Sequence, residues 1–362
     1  MSGPLEGIRI VEFSGLGPTP FAAMLLADFG AEVVRIARPG APALMAQPRD
    51  LLERGRGYVE LDLKSRPGRD AARALISLAD GLIEGMRPGV MERLGLGPDA
   101  ALAANPRLVY GRMTGWGQDG PLAHDAGHDI NYIALGGMLH AIGGEAPAVP
   151  LNLLGDFGGG GMYLAFGMVC ALLEAARSGR GQVVDAAIVD GVAHLSTMIL
   201  SLFRAGQWRD RRRDNLLDGA APFYGVYRCA CGGHVAVGAI EAKFWAALLA
   251  GLGLAVHDLP PQMSRPHWPE MRARLGAIFA RESRDFWAER FAGTDACVTP
   301  VLSIGEAPGH PHMAARGVFG ADGPAAAPRL SATPGAAGGK GARLEPDRVL
   351  ARWRAGAGRA DG

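Results

Sequence analysis

Short apolar runs that alternate with helix-type segments constrain the first third of this 362-residue chain most strongly. The run at positions 8–13 predicts a buried strand, Pro18 or Pro20 then suits the start of a helix, and Gly30 suits its end. A second strand, EVVRIAR, completes a β-α-β unit, and the runs YVELDL, LIEGM and LVYGRM continue the alternation. The pattern predicts an α/β fold whose large domain is built on a Rossmann-like, doubly wound parallel sheet.

Three basic residues each follow a predicted strand: Arg38, Lys64 and Arg87. In doubly wound sheets ligands bind beyond the carboxyl ends of the strands, so we expect these side chains at one rim. The turn after the first predicted strand contains Gly-x-Gly, as in the dinucleotide-binding motif G-x-G-x-x-G. Pro20, however, occupies the position of the third glycine of that motif. Arg38 replaces the usual ribose-binding acid, which indicates a phosphate near a ribose; NADP and the 3′-phosphorylated adenosine of coenzyme A both fit, as does a solvated arginine.

A histidine and a lone aspartate mark the middle of the chain. His128 precedes Asp129, and Asp156 stands just before the glycine run at 158–161, which opens an apolar helix. Unpaired backbone N–H groups collect at such a helix entry and favour negative charge. An imidazole and a carboxyl group in apolar surroundings suit proton transfer, although a structural histidine and an ordinary glycine-rich turn would give the same residues.

Composition and charge exclude several classes of protein. Hydrophobic residues make up 48% of the chain and charged residues 20%, which is typical of a globular protein. The net charge of +1 gives no broad field for nucleic acid or an anionic membrane. The arginines at 209–213 alternate with aspartates and predict a solvated linker. The N-terminus lacks a signal-peptide pattern, and the longest apolar run, at 162–173, is too short to cross a bilayer, so we expect no membrane partner.

The cysteines argue against a metal site and against a disulfide framework. The chain has four, and Cys229 and Cys231 are the one close pair among them, whereas a zinc site usually needs two such pairs. The sequence CACGGH instead predicts a hairpin that turns at Gly232–Gly233. Free cysteines fit a reducing compartment, and we expect a cytoplasmic protein.

The length predicts two domains. We place the large domain at 1–200, completed by 325–362, with a linker at 201–220, a smaller α+β domain at 221–303 and a return linker at 304–324. The small domain is predicted from a hairpin, three helices and a final strand. Its first helix begins at Glu241, which either complements the helix dipole or orients a base elsewhere.

Taken together, these motifs resemble the α-methylacyl-CoA racemases of the class III CoA-transferase (CaiB/BaiF) superfamily. The resemblance covers nearly the whole chain apart from 305–342 and is carried by RIVEFSGLGPTPFAAMLLADFGAEVVRI, LDLK, RPG, GRMTGWGQDGP, GHDINY, GDFGGGG, GQVVDAAIVDG and AIE. The motif GHDINY distinguishes racemases from transferases, because transferases of the superfamily usually carry an aromatic or other residue in place of His128. The resemblance also implies that the large domain binds CoA, and that the chain forms an interlocked homodimer with active sites between subunits.

The resemblance assigns roles residue by residue. It implies that His128 and Asp156 are the two catalytic bases and that Glu241 assists His128. The residues that it implies in acyl-CoA binding are Arg38, Leu61, Asp62, Leu63, Lys64, Gly85, Met86, Arg87, Arg93, Gly127, Asp129, Ile130, Asn131 and Tyr132. One departure is Gly57, where relatives often have another basic residue after Arg56; one phosphate contact of the family has no counterpart here.

The implied reaction interconverts (2R)- and (2S)-2-methylacyl-CoA thioesters by 1,1-proton transfer through an enolate, an isomerisation in fatty acid metabolism. A base on one face of the α-carbon and an acid on the other would exchange roles between enantiomers. Asp156 could donate a proton only if Leu153, Leu154 and Phe157 raise its pKa by desolvation. We expect the N–H groups entering the Asp156 helix to hold the enolate oxygen, and no metal, flavin or nicotinamide cofactor.

Two alternatives stay open. A class III CoA-transferase would use Asp156 as a nucleophile. A non-catalytic acyl-CoA-binding protein, or an NADP enzyme of the doubly wound class, would share the fold without this chemistry. The acyl group is not fixed by sequence, since apolar pockets discriminate chain shape weakly and bile-acid-like, branched fatty and aryl-propionyl chains would all be candidates.

Overall fold

The computed structural model describes residues 3–40, 50–321 and 323–357. Its contacts form two compact units, one from the described residues of 1–136, 150–196 and 316–362, the other from 137–149 and 197–315. The helices are α1 (Pro18–Asp28), α2 (Arg66–Ser77), α3 (Val90–Arg93), α4 (Pro98–Ala104), α5 (Asp129–Leu135), α6 (Met138–Ala141), α7 (Met162–Ser178), α8 (Ile188–Leu195), α9 (Thr197–Arg204), α10 (Ala242–Gly251), α11 (Trp268–Phe279), α12 (Arg284–Phe291), α13 (Pro311–Ala315) and α14 (Pro346–Ala357). The strands are β1 (Arg9–Phe13), β2 (Glu32–Ala37), β3 (Gly57–Glu60), β4 (Gly81–Glu84), β5 (Val109–Thr114), β6 (Gln182–Ala187), β7 (Tyr224–Arg228), β8 (His234–Gly238), β9 (Val298–Pro300), β10 (Phe319–Gly320) and β11 (Gly323–Pro324).

The first unit is built on a six-stranded sheet of order β3-β2-β1-β4-β5-β6. Every neighbouring pair of these strands is parallel, and Val11 of β1 lies opposite Val34 of β2 and Leu82 of β4. This confirms the predicted α/β parallel sheet. The order reverses between β1 and β4, so the chain leaves these neighbours in opposite directions and opens a crevice at their carboxyl ends.

Helices cover both faces of the sheet. On one face Val11, Phe13 and Leu82 pack against Leu75 of α2 and against Trp353 of α14, so the end of the chain closes this core. On the other face α1 and α7 pack together, with α7 lying along β5 and β6. Each aliphatic side chain buried in this way contributes about 1.5–3 kcal/mol, which makes the two apolar faces the main stabilising term of the unit.

The helix before β6 is longer than its apolar run indicates. A π-helical segment, Leu153–Gly161, continues directly into α7, and together they form a 26-residue helix that by length and composition could cross a membrane. Of its most apolar window, 44% is buried inside the protein. The sequence predicted an apolar run at 162–173 that is too short to cross a bilayer. The helix itself is longer, because it extends back through the glycines at 158–161.

The second unit contains the antiparallel sheet β7-β8-β9 with α10, α11 and α12. Its core includes Phe223, Trp245, Trp268, Phe279 and Trp287, which are buried and form edge-on ring contacts. The hairpin predicted around CACGGH is present as β7 and β8, and the predicted helices follow in order.

The units differ from the predicted domains in several segments. The predicted return linker at 304–324 is divided between the two units after residue 315. Residues 201–220, predicted as a linker, belong to the second unit, and so does the insertion 137–149. The reason is Arg212, whose guanidinium donates to the carbonyl oxygens of His140, Gly144 and Glu145. Hydrogen bonds of this charge-assisted kind tie the insertion to the Arg-rich segment.

Candidate active site

A pocket of about 470 Å³ opens at the carboxyl ends of β1, β4 and β5. Its walls come from the turns that follow these strands, from the segment before α5 and from the π-helical segment. It lies where the strand order reverses, the usual ligand site of such sheets. The lining residues are Gly15, Leu16, Gly17, Pro18, Thr19, Gly85, Met86, Arg87, Pro88, Met113, Thr114, Gly115, Trp116, Ala123, Asp125, Ala126, Gly127, His128, Tyr132, Asp156 and Ile188.

Asp156 is carried by the π-helical segment, a helix type that is rare and frequent at functional sites. The glycines beside it allow tight packing. A Cβ on Gly159 would lie 3.0 Å from the Val192 side chain, and one on Gly161 would lie 2.7 Å from the Phe21 ring. The segment therefore sits against α8 on one side and α1 on the other, which fixes the carboxyl group at the pocket wall.

The first turn of α1 lies directly beside the carboxyl group. Gly17 has a φ of 62°, and a Cβ there would come within 2.8 Å of Asp156 Oδ2. Glycine is required at this position both for the backbone conformation and for the close approach of the carboxylate.

The backbone of Asp156 is held by a second acid. Its N–H donates to Asp129 Oδ1 over 2.6 Å, while Asp129 Oδ2 is buried without a hydrogen-bond partner among the described residues. Desolvation raises the pKa of Asp156 above its ordinary value, and the Asp129 charge raises it further; a hydrogen bond from Asn152 and the charge of His128 act against this. The Asp156 carboxyl group therefore keeps its proton to higher pH than an exposed aspartate does, which makes it a better proton donor.

This hydrogen bond changes one expectation. The N–H groups entering the Asp156 helix were predicted to hold the enolate oxygen, but the N–H of Asp156 already donates to Asp129, and the N–H of Phe157 donates to the carbonyl of Asn152. These two N–H groups are therefore not available to an enolate oxygen, because the entry is a π turn tied to a neighbouring helix.

His128 reaches the same pocket from a different element, the start of α5. It is the N-cap residue of α5, and its backbone N–H donates to Asn131 Oδ1 at 3.0 Å. The imidazole is exposed, in contrast to the buried Asp129 that follows it. Asp129 therefore links the two candidate bases, since it adjoins one along the chain and bonds the backbone of the other.

Two aromatic side chains, Tyr132 and Trp116, also line the pocket. Tyr132 donates its hydroxyl to the carbonyl of Gly127 at 2.5 Å and meets Trp116 edge-on at 4.7 Å between ring centres. Burial, followed by the negative charge of Asp156, raises the pKa of the Tyr132 hydroxyl. Trp116 and the rest of the turn after β5 were not predicted as site residues, although their place after a central strand was a usable signal.

The predicted acyl-CoA contacts divide into two groups. Gly85, Met86, Arg87, Gly127 and Tyr132 line the pocket together with His128 and Asp156. The remainder do not line it: Arg38, Leu61, Asp62, Leu63, Lys64, Arg93, Asp129, Ile130 and Asn131.

Several of that remainder have visible local roles. Asp62 accepts the N–H of Lys64 at 3.0 Å in the turn before α2, Leu61 is buried, and Asn131 caps α5. Arg38 and Arg93 are exposed. Leu61 and Asp62 therefore stabilise the turn before α2, while Arg38 and Arg93 expose their charges to solvent.

Glu241 belongs to the second unit. It is the N-cap residue of α10, is exposed, and its charge raises the pKa of the nearby Cys297 thiol after the larger effect of desolvation. The pocket of the first unit does not include it.

The departure at Gly57 has a packing reason. Arg56 is buried and ion-paired with Glu12 of β1, so it faces the interior and not a ligand. A Cβ on Gly57 would lie 2.4 Å from Leu344 Cδ1. The position is therefore filled by the returning C-terminal segment. Among the described residues, no group of three or more His, Cys, Asp and Glu side chains could hold a metal ion.

Comparison with known proteins shows which family the chain belongs to. The chain matches CoA-transferase family III over residues 5–338. It is 49% identical to the α-methylacyl-CoA racemase of Mus musculus over 91% of this chain and 87% of that protein, and 49% identical to the Homo sapiens racemase over 87% and 82%. It is also 31% identical to a succinyl-CoA–D-citramalate CoA-transferase of Chloroflexus aurantiacus, over 92% of this chain and 89% of that protein.

Solved structures show the same fold. A CAIB/BAIF family protein from Brucella suis superposes with a TM-score of 0.79 at 22% identity, covering 98% of this chain and 99% of that one. A hypothetical protein from Mycobacterium tuberculosis superposes with a TM-score of 0.81 at 25% identity, covering 96% and 99%. The chain belongs to CoA-transferase family III, the CaiB/BaiF family.

Proposed function

We propose that this protein is an α-methylacyl-CoA racemase, an isomerase that interconverts (2R)- and (2S)-2-methylacyl-CoA thioesters. The observation that carries the proposal is that an imidazole and a carboxyl group of raised pKa, His128 and Asp156, line one pocket. Identity of 49% to two racemases over most of the chain supports the same reaction.

The chemistry follows from the two groups. The thioester acidifies its α-hydrogen, so one base removes the proton to give a planar enolate and the other group returns a proton to the opposite face. Asp156 can serve as the acid because burial raises its pKa. Proton transfer of this kind requires no metal, flavin or nicotinamide cofactor. We assign the anionic groups of coenzyme A to the cationic rim that includes Arg87 and Arg93.

Isotope exchange tests the reaction. In deuterated water, with no acyl acceptor present, the protein should convert either pure enantiomer of a 2-methylacyl-CoA to the same mixture and introduce deuterium at the α-carbon. If neither racemisation nor exchange occurs over a panel of branched fatty, bile-acid-like and aryl-propionyl thioesters, the proposal fails.

Transferase activity is the second candidate, favoured by family membership and by the transferase relatives. Here Asp156 would attack the thioester carbonyl, expel the CoA thiolate and form a mixed anhydride. The thiolate would then attack the Asp156 carbonyl of the anhydride, releasing the acyl group as a free carboxylate and leaving an Asp156–CoA thioester. Trapping that thioester on Asp156, with full activity retained in His128→Ala, would replace the racemase assignment.

We further propose that the protein acts as a homodimer in which Glu241 of one subunit assists His128 of the other. The support is an apolar stripe on α7, formed by Met162, Phe166, Val169 and Leu173, whose side chains are 41–68% exposed. Their spacing places them on one helix face, and a contiguous exposed apolar face of this kind marks an interaction site.

A further inference from the structure

The loop at 85–89 forms one wall of the pocket and carries its cationic rim. It connects β4 to α3, and Gly85, Met86, Arg87 and Pro88 all line the pocket. Arg87 lies within the loop, and Arg93 lies in the short helix that follows. Both guanidinium groups are exposed, and neither pairs with a carboxylate within the described part of the chain. Their positions therefore depend on how the backbone of this loop is held.

The first anchor of the loop is Glu84, the last residue of β4. Its side chain is buried, and Oε2 accepts the backbone N–H of Met86 at 2.7 Å. A buried carboxylate that receives a backbone N–H fixes the direction in which the chain leaves the strand. On the other side, a Cβ on Gly85 would lie 2.3 Å from Thr19 Oγ1, so the loop has no room to shift toward α1.

The second anchor of the loop is Glu92 of α3, which is held by Arg112 of β5. Arg112 lies directly opposite Glu84 in the pairing of β4 with β5. Arg112 Nε donates to Glu84 Oε1 at 3.1 Å, and its Nη2 lies 2.9 Å from Glu92 Oε1 in α3. One guanidinium thus connects both ends of the loop, the strand before it and the helix after it. The planar, multiply donating guanidinium is suited to this, whereas a lysine could not hold two carboxylates in the same geometry.

We propose that Arg112 is a positioning residue for substrate: through Glu84 and Glu92 it holds the 85–89 loop and the α3 helix so that Arg87 and Arg93 meet the phosphates of the acyl-CoA. The inference rests on the proposed acyl-CoA substrate. It goes beyond that proposal by assigning part of the binding selectivity to a network that does not line the pocket. Arg112 acts on the phosphate end of the ligand and not on the reacting carbon.

Two thioesters with the same acyl group separate these effects. A 2-methylacyl-CoA carries the phosphates, and the corresponding S-acylpantetheine lacks them. In the wild-type enzyme kcat/KM should be higher for the CoA thioester. In Arg112→Lys this preference should fall by about tenfold, because a displacement of about 1 Å in positioning groups costs up to about a hundredfold in rate. The kcat/KM for the S-acylpantetheine should stay at the wild-type value.

Glu92→Gln gives an independent variant. Glu92 is partly exposed, so its substitution removes the negative charge from the link to α3 and leaves the buried Glu84 pair in place. It should lower the preference for the CoA thioester in the same direction, even if Arg112→Lys fails to fold. Asp70→Asn, which removes a carboxylate from a surface ion pair with Arg73, is the matched control and should change neither substrate.

The inference is overturned if both network variants keep the wild-type ratio of the two kcat/KM values, or if they reduce both values equally. A wild-type enzyme without preference for the CoA thioester would also overturn it. Failure of the function itself gives a different result, since the wild-type enzyme would then exchange the α-hydrogen of neither thioester.

Discussion

Asp156 owes its proposed chemistry to the residues packed around its carboxyl group. Gly17 lets the turn before α1 approach Oδ2 closely, and Asp129 holds the backbone N–H while adding negative charge. Desolvation and that charge both favour the protonated carboxyl group. A carboxyl group that must give and accept a proton near neutral pH needs such a shift, because an exposed aspartate is almost fully ionised there.

Substitution of Asp129 by asparagine should move the pH dependence of one half-reaction. The amide oxygen can still accept the Asp156 N–H, but the charge that helps to raise the pKa of Asp156 is removed. That pKa should fall while staying above its ordinary value, since desolvation is the larger cause. In the direction in which Asp156 is the base, activity is lost as pH falls through this pKa, so the acidic limb of kcat/KM should move to lower pH in Asp129→Asn. A limb that stays in place or moves to higher pH would show that Asp129 does not tune Asp156.

Substitution of Gly17 by alanine should reduce activity far more than binding. The new Cβ would lie about where Asp156 Oδ2 now approaches, and the positive φ is unfavourable for alanine. Displacing the carboxyl group should lower kcat by about a hundredfold. Gly7→Ala is the control, because its φ is also positive but no atom lies within 4 Å of its Cβ position. Equal kcat values in Gly17→Ala and wild type would contradict this account of the pocket.

Residue patterns predicted part of this site. Residue type and setting indicate His128 and Asp156 as a pair suited to proton transfer, the family resemblance implies that they are the two bases, and the structure places both in one pocket. The carboxylate of Asp129 in contact with Asp156 was not predictable, because 27 positions separate these residues and only the packing of α5 on the π-helical segment joins them. Arg112 was missed for the same reason: inside an apolar strand its side chain gives no local signal of a network.

For helices and strands, the sequence indicates the type of element more reliably than its position in the sheet or its first and last residues. Strand-type runs and turn residues predicted the parallel sheet, but the order β3-β2-β1-β4-β5-β6 depends on which helices cover which face. The glycine run predicted a helix entry, yet it forms a π-helical segment because glycines let it pack closely against α1 and α8. Local composition carries no signal for this kind of tertiary packing.

The last helix is an element whose removal should cost stability. Trp353 of α14 is 1% exposed within the core of the first unit, and its indole N–H donates to Glu32 Oε1 at 2.7 Å. Trp353→Ala should lower the free energy of unfolding by about 3–5 kcal/mol. Chemical denaturation of this variant beside Arg354→Ala, an exposed neighbour, measures the difference. A loss below about 1 kcal/mol, the size of a surface effect, would mean that α14 is not part of the core.

For the whole molecule, the exposed stripe on α7 determines the expected assembly. Phe166 is 68% exposed at the centre of this stripe. Phe166→Glu should convert a dimer to a monomer and abolish racemisation, because a charge would be buried at the interface and Glu241 would lose its partner. Light scattering on the eluting protein measures this, with Val256→Glu, another exposed apolar position, as the unchanged control. A monomeric wild-type protein would contradict the dimer, and co-sedimentation with liposomes would assign the stripe to a membrane.

The most direct test asks which hydrogen each base removes. In deuterated water, His128→Asn and Asp156→Asn should both lose racemisation, while each still exchanges the α-hydrogen of one enantiomer of a 2-methylacyl-CoA. The enantiomer that exchanges should be opposite in the two variants, because the surviving base stands on one face of the α-carbon only. If both variants exchange the same enantiomer, or either one still racemises at the wild-type rate, these two residues are not the opposed acid and base.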